Sequence, residues 1–196
     1  MKTMTNLIPN RTDHHSLMCY RKAEAIYDVT YNFTKRFLVV GDRTIDQMVQ
    51  AARSGKQNIV EGYHAGATST EMELKLFNVA KSSLQELLAD YEDFLRVRDM
   101  RRWESGSAEF LYAKKLGEKH NDSAFWMDIV RNREAETVAN IAIILLRQAD
   151  YLLYRYLQSV GERFLRQGGF REKLTVERLK ERRTQEDKLL KETKGD

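Results

Sequence analysis

Apolar residues recur at three- and four-residue steps along four stretches of the chain, the spacing that places side chains on one face of an α-helix. We call each of these rows of side chains a seam. The first two seams are Leu17, Tyr20, Ala23, Tyr27, Thr30, Phe33 and Phe37, and then Ile45, Met48, Val49, Ala52, Ile59 and Tyr63. The third and fourth are Leu74, Phe77, Ala80, Leu84, Leu87, Tyr91 and Leu95, and then Val138, Ala142, Leu145, Ala149, Leu152 and Tyr156. No stretch shows the alternation of a β-strand. The pattern predicts an all-α protein, an antiparallel four-helix bundle with short extra helices.

The spacing of the four seams also divides the chain into segments. We expect a disordered N-terminus at 1–12, a bundle at 13–167 with an insert at 101–133 between the third and fourth long helices, and a charged C-terminal helical extension at 168–196. A structureless insert of this length is unusual, so local helix is expected within it. At the end of the second helix, Gly62 and Gly66 are expected to supply positive backbone φ angles.

The fourth helix is apolar around most of its circumference. Beside its seam, a second apolar side is formed by Ile141, Ile144, Leu146, Leu153 and Tyr154. A helix of this kind is buried on more than one side. Because a lone four-helix bundle covers only one side, the pattern predicts a homo-oligomer.

Composition excludes several classes of protein. A single cysteine, Cys19, rules out an intramolecular disulfide framework and a cysteine-rich zinc site. The longest apolar run, Ile141 to Leu146, falls far short of the ~20 residues that span a bilayer. The first residues lack the pattern of an export signal. We therefore expect a cytoplasmic protein with no membrane contact.

No catalytic motif is visible in the chain. Glu61 and His64 have the Glu-x-x-His spacing of di-iron bundles, but the chain offers no second such pair. No glycine-rich loop follows a strand, and the serines in the helices lack an exposing turn. The sequence thus predicts a protein that is not an enzyme and that has no metal or cofactor.

The basic residues are the feature of the sequence that indicates a kind of ligand. The formal net charge is +4. Candidate nucleic-acid contacts are Arg98, Arg101 and Arg102 where the third helix ends, and Arg178, Lys180, Arg182 and Arg183 in the tail. If the third helix continues, the first three share a face at 100° per residue. The alternative is that these cations are ordinary solvated charges or complement a helix dipole.

A family resemblance adds to this interpretation. Two runs of the sequence carry it. The first is Ala51-Ala52-Arg53-Ser54-Gly55-Lys56-Gln57-Asn58-Ile59-Val60-Glu61-Gly62, and the second is Leu76-Phe77-Asn78-Val79-Ala80-Lys81-Ser82-Ser83-Leu84-Gln85-Glu86-Leu87. Together they resemble the signature of bacterial four-helix-bundle proteins encoded in intervening sequences of 23S ribosomal RNA genes. Relatives of that family include the accessory variability protein of diversity-generating retroelements. The insert and tail look like those of its longer variant, the four helix bundle suffix proteins.

The resemblance implies a ring-shaped homo-oligomer, commonly a pentamer, with a nucleic-acid role and no catalytic residues. From it and from the charge we predict a non-catalytic accessory factor that binds RNA or DNA. The alternative is a structural or protein-binding scaffold with no nucleic-acid role.

The signature residues also have a structural interpretation. Asn58 and Glu61 share one helix face, as do Ser83 and Glu86, so together with Gly62 they predict a polar layer that fixes the register of helices two and three. A binding site is the alternative for these residues. Gly55 replaces the isoleucine that the family prefers, and inside a helix it costs about 1 kcal/mol relative to alanine unless something packs against it.

Overall fold

A computed structural model describes residues 11–192, with side chains to residue 190. Seven α-helices follow a short 3-10 turn at His14–Ser16: α1 (Met18–Phe37), α2 (Arg43–Ala65), α3 (Thr70–Arg96), α4 (Ala108–Lys119), α5 (Ser123–Val130), α6 (Ala135–Gln167) and α7 (Phe170–Glu192). No strand occurs in this part of the chain. None of these helices is long and apolar enough to cross a membrane.

The four long helices with apolar seams form the bundle. Helix α1 packs against α2, α2 against α3, α3 against α6, and α6 against α1, which closes the ring of neighbours. Fully buried side chains from all four helices fill the centre, among them Phe33, Ile59, Phe77, Leu87 and Leu145. The prediction of an all-α four-helix bundle is confirmed.

Helices α2 and α3 approach each other closely at two glycines of α2, Gly55 and Gly62. A Cβ atom on Gly62 would lie 2.7 Å from Cδ2 of Phe77, so α3 packs on the bare backbone of α2 at this point. The prediction that Gly62 and Gly66 supply positive φ angles is wrong. Gly62 is a buried residue within α2, and Gly66 has φ −63°. The small size of Gly62 is what packing against Phe77 requires.

The insert folds back onto the bundle. Helix α4 packs on α6, and α5 packs on α1. The buried side chain of Asn140 holds the segment that precedes α4, because its Nδ2 donates to the carbonyl of Arg101 at 2.9 Å and its Oδ1 accepts from the amide of Trp103 at 2.7 Å. The insert is thereby an integral layer of the fold.

This layer covers part of the second apolar side of α6. Ile141, Ile144 and Leu146 are 5%, 3% and 1% exposed in the single chain. Helix α4 packs on α6, so one protomer by itself buries these three residues, whereas Tyr154 of the same side is 48% exposed. A lone chain thus leaves only part of the second side open, and the homo-oligomer stays a prediction.

A buried carboxylate ties the start of the described chain to the end of the bundle. Glu73 of α3 accepts from Nη1 of Arg11 at 2.6 Å, from the hydroxyl of Tyr156 at 2.7 Å and from Nη2 of Arg163 at 2.9 Å. Arg11 also donates to the carbonyl of Tyr63 at 3.2 Å. Of the predicted disordered segment 1–12, residues 1–10 lie outside the described residues, and Arg11 is joined to α2 and α3.

Candidate nucleic-acid interface

The three arginines after α3 do not share a helix face. Helix α3 ends at Arg96, and Asp99 turns the chain with a φ of 52°. Arg102 pairs with Glu92 at 2.6 Å, and Arg101 pairs with Glu109 at 2.6 Å. The hydrogen bond from Arg101 lowers the pKa of the Glu109 carboxyl. Two of the three charges are thus already compensated by carboxylates.

Arg98, the third of these residues, lies over an aromatic ring. Its guanidinium carbon is 4.1 Å from the ring centroid of Phe94. Arg98 forms no ion pair with another residue in the described part of the chain, and the stacking directs its side chain back along α3.

The predicted tail contacts lie on a solvent-exposed helix. Arg178, Arg182 and Arg183 of α7 are exposed, and none of them forms an ion pair with another described residue. Lys180 pairs with Glu177 at 2.7 Å. At 100° per residue, Arg178 and Arg182 lie on nearly the same side of α7, whereas Arg183 points away. Helix α7 therefore presents uncompensated cations to solvent.

The predicted polar layer between α2 and α3 is present in part. Nδ2 of Asn58 donates to the carbonyl of Ser54 at 2.9 Å, and the hydroxyls of Ser54 and Ser83 are 2.9 Å apart. Glu61 and Glu86 are exposed, and neither side chain forms a hydrogen bond or an ion pair within residues 11–190. Ser54, which was not among the predicted residues, is what joins Asn58 to Ser83.

A row of aromatic and basic side chains occupies the exposed face of α6. Tyr151 and Tyr154 are 56% and 48% exposed. Nη1 of Arg155 donates to the hydroxyl of Tyr151 at 3.0 Å, and Nζ of Lys81 lies 6.0 Å from the centroid of the Tyr154 ring. Arg147 lies one turn before Tyr151 on the same face. Both tyrosines therefore expose a ring beside a cation.

A cleft of about 540 Å³ opens beside this row, between α1, α4 and α6. Its lining is mostly apolar and comprises Met18, Lys22, Phe110, Lys114, Gly117, Glu118, Asn121, Ile144, Arg147, Gln148, Tyr151 and Leu152. Three of these residues are cationic, and only Glu118 is acidic. The cleft and the α6 row share Arg147 and Tyr151, so they form one continuous surface.

Lys22 forms the floor of the cleft and is 1% exposed. Its Nζ donates to the carbonyls of Gly117 at 2.6 Å and His120 at 3.1 Å, and to Oε1 of Gln148 at 3.2 Å. Burial lowers the pKa of Lys22 to about 8. At neutral pH the amine is still mostly protonated, and it satisfies carbonyls at the C-terminal end of α4.

Tyr154 was expected on the apolar circumference of α6, and Tyr151 was not among the predicted site residues. The signal was nevertheless present, because Arg147, Tyr151, Tyr154 and Arg155 follow one another at helical spacing on a separate face. No pattern in the sequence indicates the cleft, because the cleft exists only where α4 folds onto α6.

His64 and Cys19, which were considered for metal binding, do not line the cleft. His64 is exposed in the last turn of α2. No group of three or more potential metal ligands is present in the part of the chain that the structure describes. Cys19 is buried, and burial raises the pKa of its thiol to about 12, which disfavours the thiolate that a nucleophile needs.

Comparison of the chain with protein-family models, with curated proteins and with solved structures finds no match in any of the three.

Proposed function

We propose that this protein is a non-catalytic accessory factor that binds RNA or DNA in the cytoplasm. The observation that carries the proposal is the exposed α6 face, where Tyr151 and Tyr154 each lie beside a cation. Proteins that bind single strands combine cations along the backbone with aromatic rings on which bases stack. A purely solvated charged surface has no need of exposed tyrosines at these positions.

The cations of the proposed surface differ from those at the end of α3 in their partners. Lys114 and Arg155 form no ion pair with a carboxylate in residues 11–190. Arg147 shares Glu92 with Arg102, at 3.4 Å and 2.6 Å. One carboxylate between two guanidinium groups leaves a net positive charge. Binding of phosphate at this surface therefore breaks fewer existing ion pairs than binding at Arg101 and Arg102.

Helix α7 supplies a second basic surface in the proposal. Arg178, Arg182 and Arg183 are exposed and uncompensated, so they can contact phosphate without losing a partner. The resemblance of residues 51–62 and 76–87 to the 23S intervening-sequence proteins also supports a nucleic-acid role.

Filter binding of the purified full chain tests the proposal. The expected result is retention of labelled RNA or DNA near ~50 mM salt, with a logarithm of the binding constant that falls linearly with the logarithm of salt concentration. The slope on duplex DNA should be roughly −0.9 for each phosphate neutralised. If neither nucleic acid is retained at low salt, the protein is a structural or protein-binding scaffold instead.

The resemblance also leads us to propose a homo-oligomer, a pentamer in the family. Since α4 covers part of the second side of α6, this proposal rests mainly on the resemblance. Light scattering at micromolar concentration should give a mass of several protomers. The mass of one chain, 23.0 kDa, would refute it.

A further inference from the structure

The cleft between α1, α4 and α6 has the size and lining of a ligand site. Its volume of about 540 Å³ lies within the ~300–1,000 Å³ of typical small-molecule pockets. Phe110, Ile144 and Leu152 contribute apolar walls. Tyr151 adds an aromatic wall that is 56% exposed, so a flat ligand can reach its ring from solvent.

The charged groups of the cleft favour an anionic ligand. Lys114 and Arg147 both line it, and Arg155 is joined to its wall through the hydrogen bond to Tyr151. Glu118 is the one lining carboxylate. The ligand that matches this surface has a flat apolar part for the walls and negative charge for the cations around them.

We propose that the cleft receives one unpaired base of a single-stranded nucleic acid, with the flanking phosphates against Lys114, Arg147 and Arg155. This inference rests on the proposed function and names the form of nucleic acid that the surface selects. A base inside a duplex is stacked and paired, so it enters such a cleft only from a single strand or after flipping out.

Recognition in the cleft is tolerant of base identity. Nε2 of Gln148 donates to the carbonyl of Lys114 at 2.9 Å, and its Oε1 accepts from Lys22 at 3.2 Å. Both polar ends of this amide are therefore engaged within the protein. The Gln148 amide is thus not free to read a base, and stacking and phosphate contacts, which supply most of the affinity in this proposal, do not distinguish strongly among bases.

The experiment compares two strands of equal length and charge, one of thymidine and one built from abasic units, by filter binding to the full chain. Wild-type protein should bind the thymidine strand about tenfold more tightly, because only that strand has bases to stack. Tyr151→Ala should bring the two affinities together. The matched control is Tyr31→Ala, which should keep the tenfold difference.

Tyr31 matches Tyr151 in the properties that matter. It is 48% exposed, Nζ of Lys35 lies 5.5 Å from its ring centroid, and it lies outside the lining of the cleft. Loss of the tenfold difference in Tyr31→Ala but not in Tyr151→Ala would place base stacking elsewhere and overturn the inference.

The wild-type comparison needs no variant and separates two failures. Equal affinity for the thymidine and abasic strands would overturn the base-binding cleft and leave electrostatic binding intact. Retention of neither strand, and of no duplex of the same sequence, would overturn the proposed function itself.

Discussion

Gly55 of α2 lies directly against the side chain of Leu84 of α3. A Cβ atom on Gly55 would be 2.5 Å from Cδ2 and 2.7 Å from Cγ of Leu84. Seven residues further along α2, Gly62 has the same relationship to Phe77, which lies seven residues before Leu84 on the antiparallel helix. Two glycines on one face of α2 thus set the separation of the two helices.

Replacement of Gly55 by alanine should destabilise the protein, although alanine is the better helix former. The gain in helix propensity is about 1 kcal/mol. Forcing a methyl group against a core leucine that is 2% exposed costs typically ~1–3 kcal/mol. We expect a net loss of up to about 2 kcal/mol in the free energy of unfolding, measured by urea denaturation.

Gly161 of α6 is the matched control for this substitution. It is also a helical glycine, but nothing lies within 4 Å of the position of its Cβ atom. Gly161→Ala should therefore stabilise the protein by about 0.5–1 kcal/mol. Equal effects of the two substitutions would contradict the packing argument for Gly55. In a double-mutant cycle, Leu84→Ala should relieve part of the cost of Gly55→Ala.

The second prediction concerns the buried carboxylate of Glu73, whose side chain is 1% exposed. Glu73→Gln removes the negative charge that faces Arg11 and Arg163. The carboxylate is buried, but the side chains of Arg11 and Arg163 are 17% and 38% exposed and retain part of their hydration. We therefore expect a loss of about 1–3 kcal/mol in the free energy of unfolding. Glu71→Gln changes an exposed acid in the same helical turn and should cost no more than ~0.5 kcal/mol.

The segment around Arg11 gives a second readout for Glu73. Because Arg11 is held by Glu73 and the Tyr63 carbonyl, Glu73→Gln should speed amide hydrogen exchange around Arg11. Unchanged exchange there, together with unchanged stability, would show that the ion-pair cluster does not hold this segment.

The third prediction is a pH dependence that arises from Lys22. Its pKa is about 8 in the folded protein and 10.5 in a model peptide, so the unfolded chain binds more protons between these values. Stability therefore rises with pH across this window, as the cost of burying the ammonium is relieved. Between pH 7 and pH 9.5 the contribution of Lys22 should become more favourable by about 2 kcal/mol.

Lys22→Met supplies the reference for that measurement, because other titrating groups cancel when the two proteins are compared at each pH. The wild-type protein should gain stability relative to the variant from pH 7 to pH 9.5. A difference that does not change with pH would mean that the Lys22 pKa is not lowered by burial.

The fourth prediction concerns helix α7. Because nearly all of its described side chains are exposed, deletion of residues 170–196 should change the free energy of unfolding of the bundle by less than about 0.5 kcal/mol. The same deletion should weaken nucleic-acid binding and flatten its salt dependence, since it removes Arg178, Arg182 and Arg183. A large drop in melting temperature would mean that α7 supports the bundle.

The four long helices could be predicted from the sequence because their seams follow the helical period. The buried position of Lys22 could also have been found, since Cys19, Lys22, Ile26 and Val29 occupy successive three- and four-residue steps. The role of Glu73 could not. An acid in the first turn of a helix is ordinary, and only the folded chain brings Arg11, Tyr156 and Arg163 to it.

The candidate site was harder to predict than the fold. The ion pairs that compensate Arg101 and Arg102 join residues 8 and 10 positions apart along the chain, and no periodic pattern indicates them. The covering of α6 by α4 depends equally on tertiary packing. Periodic patterns in the sequence predict which face of a helix is apolar. They do not predict which residues pack against that face, because those contacts depend on the tertiary fold.

The most direct test of the account compares two triple variants that lose the same charge at different places. Lys114→Ala/Arg147→Ala/Arg155→Ala removes three cations beside the cleft. Arg96→Ala/Arg98→Ala/Arg101→Ala removes three at the end of α3 and leaves Arg102, which shares Glu92 with Arg147, in place. Filter binding across a salt series should show the first variant weakened, with a salt slope reduced by about one for each lost phosphate contact. The second variant should stay close to wild type. Equal weakening, or a greater effect of the second variant, would contradict the placement of the nucleic-acid surface on α6 and α4.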